Sequence, residues 1–172
     1  MTQPPPYRVC MVCSGNICRS PMAEVVLRAM LDDAGLADRV SVDSAGTGPW
    51  HVGDGADPRT VAALRRGGYD GSAHIARQYD AAWLTGHDLV LAADRGHLRE
   101  LRRLARDEGL TVGAGGDVEI RLLRDYDADA AARGELEVAD PYYGGTADFD
   151  RCLAEVEAAC RGLTSHLAAM EG

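Results

Sequence analysis

Cys13-Ser14-Gly15-Asn16-Ile17-Cys18-Arg19-Ser20, with Pro21 directly behind it, is the stretch on which the fold turns. Before it, residues 7–12 form a short, mostly apolar run with the β-branched Val9 and Val12, which predicts a strand. After it, Ala23, Val26, Leu27, Met30, Leu31 and Ala34 recur at helical spacing. The residues between are therefore a strand-to-helix turn, with Ser20 as the expected N-cap and Pro21 at the first helical position. Such a turn aims backbone N–H groups and the positive end of a helix dipole at one point, and that point binds anions. A cysteine placed there is favoured as its nucleophilic thiolate. A guanidinium beside it can fork across two phosphate oxygens. Residues 13–20 thus read as a phosphate cradle with Cys13 at its base, ringed by Ser14, Gly15, Asn16, Ile17, Cys18, Arg19 and Ser20.

Outward from this loop the pattern predicts an α/β fold. Residues 39–44 alternate around Val40 and Val42 as a second strand, followed by a glycine-rich stretch over 45–55 that carries Trp50. Asp57-Pro58-Arg59 opens a helix, with Asp57 capping, Pro58 in the first position and Gly67-Gly68 at the end. Residues 87–93 predict a third strand, 94–107 a helix rich in arginine and leucine, and 118–123 a fourth strand. The last helix, over 148–170, places Phe149, Leu153, Val156, Leu163 and Leu167 on one face. Alternating strands and helices imply a three-layer architecture: a central, mostly parallel four-stranded sheet with helices on both faces. Ligands of such sheets bind beyond the carboxyl ends of the strands, where the cysteine loop lies. Residues 124–143 have little periodicity and are expected to form a surface loop over the site. Residues 1–6 are expected to be a disordered extension, and 7–172 one catalytic domain.

Composition narrows the function classes. The chain has 172 residues, enough for one domain with a substantial core. A formal net charge of −9 argues against nucleic acid or an anionic membrane as partner, so an anionic substrate must be held by local donors. No run approaches the roughly 18 apolar residues of a membrane span. Five cysteines, an odd number, do not suit a disulfide framework. They suit a reducing, cytoplasmic setting, with export by a route lacking a signal peptide left open. A monomer is the default expectation. His51, His74, His87, His97 and His166 show no metal-ligand spacing, and the chemistry below needs neither metal nor cofactor.

Attack of the Cys13 thiolate on phosphorus gives a phosphocysteine, which water then hydrolyses. Arg19 and the loop amides stabilise the non-bridging oxygens. A general acid must protonate the leaving oxygen. Asp140 in Asp140-Pro141-Tyr142-Tyr143 is the candidate, and it can then act as base for the attacking water. The neighbouring Tyr142 and Tyr143 can form an aromatic wall. On the residues alone Asp140 is equally a turn residue, since Asp-Pro is a common turn signal.

The loop with Pro21-Met22-Ala23-Glu24, then Asp43-Ser44-Ala45-Gly46-Thr47, Trp50, Asp57-Pro58-Arg59 and Asp140-Pro141-Tyr142-Tyr143, resembles the low-molecular-weight protein tyrosine phosphatase family. The likeness runs over nearly the whole chain with motifs in family order. It implies Cys13 as nucleophile, Arg19 as phosphate clamp and Asp140 as general acid. It implies that Asn16, Ser20, Ser44 and His74 form the polar network shaping the loop. Trp50 and Tyr142 would sandwich the substrate ring, favouring phosphotyrosine-containing proteins as substrates. Cys18 has a neutral reading, packing under the loop; the resemblance instead implies a reversible disulfide with Cys13 that guards it from over-oxidation. Cys10, Cys152 and Cys160 are expected in the core.

One departure stands out: Ala93-Asp94-Arg95-Gly96-His97 lies where many family members carry Met-Asp-x-x-Asn. Rival readings are an arsenate reductase of the same fold, a non-catalytic phosphotyrosine-binding module and a phosphocysteine carrier. The first needs two more cysteines near the loop, and none lies in residues 83–106. The module would lack the nucleophile or the acid, and the carrier needs neither Asp140 nor Trp50.

Overall fold

The computed structural model describes residues 3–170. Met1 and Thr2 of the expected extension lie outside the described residues, while residues 3–6 are exposed and carry no helix or strand. Four strands, β1 (Tyr7–Cys13), β2 (Val40–Gly46), β3 (Leu89–Ala92) and β4 (Glu119–Leu122), form one sheet in the order β2-β1-β3-β4. Every pairing is parallel: Val9, for instance, stands opposite Val42 of β2 and Leu89 of β3.

This order explains the three layers. The chain leaves β1 in one direction to reach β2 and in the opposite direction to reach β3 and β4. Right-handed crossovers therefore place their helices on opposite faces. Helix α1 (Arg19–Asp33) covers one face and α3 (Arg95–Asp107) the other. Central β1 is buried on both sides: Val9 and Met11 point to the α1 layer, Cys10 and Val12 to the α3 layer. That is why it reads as an unbroken apolar run instead of an alternating one.

Helix α2 (Pro58–Arg66) starts as expected, with the Asp57 side chain accepting the Arg59 N–H at 2.8 Å. The long α5 (Thr146–Met170) completes the α1 layer through Phe149, Cys152, Leu153, Val156, Ala159, Cys160, Leu163 and Leu167. Each large apolar side chain so buried contributes on the order of 1.5–3 kcal/mol. The expected core cysteines Cys10, Cys152 and Cys160 are all buried.

Two expectations are corrected. Helix α1 begins at Arg19 with Cys18 as N-cap, so Pro21 is its third residue. The Ser20 hydroxyl is used by the loop instead of capping the helix, and the helix proceeds without a side-chain cap. Residues 124–143 are not one loop. They contain a 3₁₀ turn (Leu123–Tyr126) and α4 (Ala128–Arg133), capped by Asp127 and ended by Gly134 at φ 72°. Six residues are too few to show a helical period, so only the cap and the glycine could have betrayed α4.

Candidate active site

The loop between β1 and α1 lies at the carboxyl end of the sheet, where the connections from β1 and β3 diverge. Its carbonyls are held from outside: Cys13 O accepts from Thr47 N at 2.8 Å, Ser14 O from Gly48 N at 3.1 Å, and Ile17 O from Asp57 N at 2.9 Å. Asn16 O lies 2.7 Å from His74 Nε2. Each peptide is trans, so the N–H opposite each of these carbonyls points the other way, into the cleft. The N–H groups of Ser14, Gly15, Ile17 and Cys18 are thereby all turned away from the framework that holds those carbonyls. Gly46 permits this packing, since a Cβ there would meet Ser14 O at 2.5 Å.

Asn16 is the hub behind the loop. It is fully buried and holds φ 59°, a left-handed conformation that asparagine tolerates better than most residues. Its Nδ2 donates to Ser20 Oγ at 2.8 Å and Ser44 Oγ at 2.9 Å, and its Oδ1 accepts from Arg77 N at 3.0 Å. With Ser20 Oγ occupied as acceptor, its hydrogen can go to Cys13 Sγ, 2.9 Å away, or to the more distant Ala45 O at 3.5 Å. Asn16 and Ser20, expected around the phosphate, thus support the loop from behind together with Ser44 and His74.

The cleft in front is about 350 Å³ and is lined by Cys13, Ser14, Gly15, Ile17, Cys18, Arg19, Trp50, His51, Asp140, Tyr142 and Tyr143. Arg19 is 5% exposed. Its Nη1 donates to Asp94 Oδ2 at 2.9 Å and to Val138 O at 3.0 Å, leaving the Nε and Nη2 edge for a ligand. Burial opposes its charge, but Cys13, Asp94 and Asp140 outweigh that and raise its pKa. Asp140 lies 3.8 Å from Arg19 Nη2, half exposed, and accepts the Tyr142 N–H at 3.1 Å in the turn that Pro141 initiates. Trp50 and Tyr143 stand at 70% and 94% exposure and form an aromatic rim of the cleft. The rings of Tyr142 and Tyr143 meet edge-on at 4.9 Å, and His51 faces Tyr142 at 6.5 Å.

The model of the low molecular weight phosphotyrosine protein phosphatases matches residues 8–171. The chain belongs to that family. It is 57% identical over 157 residues to a low molecular weight protein-tyrosine-phosphatase of Streptomyces coelicolor, covering 91% of each chain. The crystal structure of YfkJ from Bacillus subtilis superposes with a TM-score of 0.86 at 31% identity, over 99% of this chain and 100% of that one. The Drosophila arginine phosphatase DARP gives a TM-score of 0.81 at 29% identity, over 92% and 96%. Family membership makes the protein a cysteine-based phosphoric monoester hydrolase.

Several residues of this phosphatase site were given no role from the sequence, two of them within the departure at residues 93–97. Asp94 caps α3 and docks Arg19, and burial of its carboxyl is more than offset by the His97 N–H and Arg19, which lower its pKa. A carboxylate at the end of a buried strand was the available signal. His97 reaches Ser14, and the departure at residues 93–97 marked the place. The Asp140 loop is pinned by Val138 N to Ala93 O at 2.8 Å and by Arg124 Nη1 to Glu137 O at 2.9 Å. Arg124 itself pairs with Glu155 of α5 at 3.2 Å, both nearly buried. Those contacts span long sequence separations and leave no local trace.

Topology also brings Cys10, Asp43 and His87 within 4.8 Å of one another. There Asp43 is already engaged by His87 Nε2 at 2.9 Å and by Arg77 Nη2 at 2.7 Å, while the Tyr79 hydroxyl lies 3.2 Å from His87 Nδ1. The polar atoms satisfy one another, and a guanidinium stands where a cation would sit. Cys10 belongs to this α3-side network and not to the phosphate loop.

Proposed function

We propose that the protein hydrolyses phosphotyrosine in protein substrates, with residues 7–172 acting as one catalytic unit. Cys13 attacks phosphorus, Arg19 clamps two non-bridging oxygens through its Nε and Nη2 edge, and the N–H groups of Ser14, Gly15, Ile17 and Cys18 bind the rest. Asp140 protonates the departing phenolate oxygen and then takes a proton from the water that opens the phosphocysteine. Ser20 donates to the sulfur as it becomes a leaving group. Asn16, Ser44 and His74 hold the loop in shape. One observation supports the reading: the loop carbonyls are held from outside, which frees the N–H groups of the same peptides from that framework, and Cys13 and Arg19 line the cleft in front.

Trp50, Tyr142 and Tyr143 support an aryl phosphate as substrate. Arginine phosphates, the class named for DARP, are the competing substrates, since a guanidinium also stacks on aromatic faces, as Arg59 does over Tyr142. Cys18, buried and with its thiol pushed up to about 12 chiefly by burial, stays protonated at neutral pH. We assign it as the resolving thiol: a peroxide oxidises Cys13 to the sulfenic acid, and condensation with Cys18 releases water and forms the disulfide, which a dithiol reverses.

The experiment is hydrolysis of para-nitrophenyl phosphate and of phosphotyrosine and phosphoarginine peptides, with chelator and reductant present. Turnover of the aryl substrates that is lost in Cys13→Ser is the expected result. Turnover of phosphoarginine alone, or undiminished turnover in Cys13→Ser, refutes the assignment.

A further inference from the structure

His97 has no part in the steps above, yet it joins the two halves of the site. It is 5% exposed. Its Nε2 lies 2.8 Å from Ser14 Oγ and its Nδ1 3.1 Å from Asp94 Oδ1. The same carboxylate accepts the His97 backbone N–H at 3.1 Å and, through Oδ2, holds Arg19 at 2.9 Å. A continuous path therefore runs hydroxyl, imidazole, carboxylate, guanidinium, and both of its ends line the cleft.

The contacts select one tautomer. With the hydrogen on Nε2, the Nδ1 lone pair would face a carboxylate oxygen at 3.1 Å, a repulsion that low local dielectric strengthens. With the hydrogen on Nδ1, attraction replaces repulsion even though the angle is too bent for a well-formed hydrogen bond. Nε2 is then an acceptor, and the Ser14 hydroxyl is the donor at hand. Burial, opposed by Asp94 and aided by Arg19, pushes the ring down to about 4, so it is neutral at pH 7.

We propose that His97 is a positioning residue of the phosphatase site. Held by Asp94 as the Nδ1–H tautomer, it accepts a hydrogen bond from the Ser14 hydroxyl at Nε2 and fixes the second loop residue in register with Arg19. The Ser14–Gly15 peptide, whose N–H faces the cleft, is thereby locked to the arginine clamp. The proposal rests on the phosphatase reading of that cleft.

Nitrogen NMR of the His97 ring at pH 7 tests it directly. A neutral ring protonated on Nδ1 is expected; protonation on Nε2, or on both nitrogens, overturns the proposal. Kinetics on para-nitrophenyl phosphate give the functional arm. His97→Phe keeps the ring and removes both nitrogens, and kcat should fall about tenfold, the equivalent of one hydrogen bond of about 1.4 kcal/mol, with Tm nearly unchanged. Ser14→Ala should fall equally, the double variant no further, and His97→Gln, with an amide oxygen near the place of Nε2, should recover most of the rate. Losses that multiply in the double variant overturn the proposal, as does a His97→Phe enzyme within twofold of wild type. Should His97→Phe not fold, Ser14→Ala at the wild-type rate overturns it alone. A wild-type protein without turnover would sink the phosphatase reading and leave the tautomer measurement standing as the test of His97.

Discussion

Replacing Asn16 separates the two demands that its position makes. The side chain donates to Ser20 and Ser44 and accepts from Arg77 N, three bonds of roughly 1 kcal/mol net each. The backbone sits at φ 59°, which glycine adopts freely and alanine only at a cost of about 1 kcal/mol. Asn16→Gly should therefore lose about 3 kcal/mol of unfolding free energy, and Asn16→Ala about 4 kcal/mol, from a total of roughly 5–15 kcal/mol. Glycine is ordinarily the more destabilising replacement, so the inverted order is the signature. Urea titration followed by tryptophan fluorescence gives both values, with para-nitrophenyl phosphate turnover recorded on the same samples. Both variants should also lose most of their kcat, because Ser20 and Ser44 are no longer held. Equal losses, a more stable alanine variant, or losses below about 1 kcal/mol would refute the hub and its backbone strain.

Three further outcomes are expected. Asp140→Ala should cut phenyl phosphate turnover by about 10²–10⁴ and para-nitrophenyl phosphate turnover far less, since nitrophenolate leaves without a proton; equal falls in a leaving-group series would remove Asp140 as the acid. Arg124→Met should cost about 1–3 kcal/mol, because it leaves the nearly buried Glu155 with only the exposed Arg151 at 3.7 Å, and adding Glu155→Leu should restore much of it; thermal unfolding of the pair decides, and a double variant no better than the single would contradict a buried ion pair. The His97 ring, lowered from 6.5 to about 4 by burial, is neutral in the fold while the unfolded chain takes up a proton below pH 6.5. Proton uptake by the unfolded chain alone therefore costs the fold nothing above pH 6.5 and up to about 3 kcal/mol as pH falls to 4. Urea midpoints measured across that window should fall less steeply in His97→Gln than in wild type, and parallel slopes would argue against the buried neutral ring.

The site was legible where chemistry is local. Residues 13–20 carry the turn, the thiol and the guanidinium within one loop, and Asp140-Pro141 announces its own turn. The alternating β2 and the long helices followed from periodicity, while β1 and β3, buried on both faces, followed from unbroken apolar runs. What could not be read was set by partners far along the chain. Ser20 looks like a cap until Asn16 and Cys13 are placed beside it. Arg19 finds Asp94 and Val138 across 75 and 119 residues, and Arg124 looks like any surface arginine until α5 brings Glu155 to it. Helix α4 is too short for periodicity, and its neighbours Asp127 and Gly134 read equally well as loop residues.

Helix α5 is the last element of the fold in chain order, yet it supplies the other half of the layer over α1. Phe149, Cys152, Val156 and Cys160 lie fully within that layer. During synthesis the sheet strands and the cysteine loop emerge first, and α1 can dock on β1 and β2, but the outer side of that layer stays open until α5 has been made as far as Leu167. Domains fold as units once their sequence is available. The nascent chain therefore carries its nucleophilic thiol without the completed framework that aims it until α5 is made, and activity should switch on abruptly once Leu167 has emerged instead of growing with length.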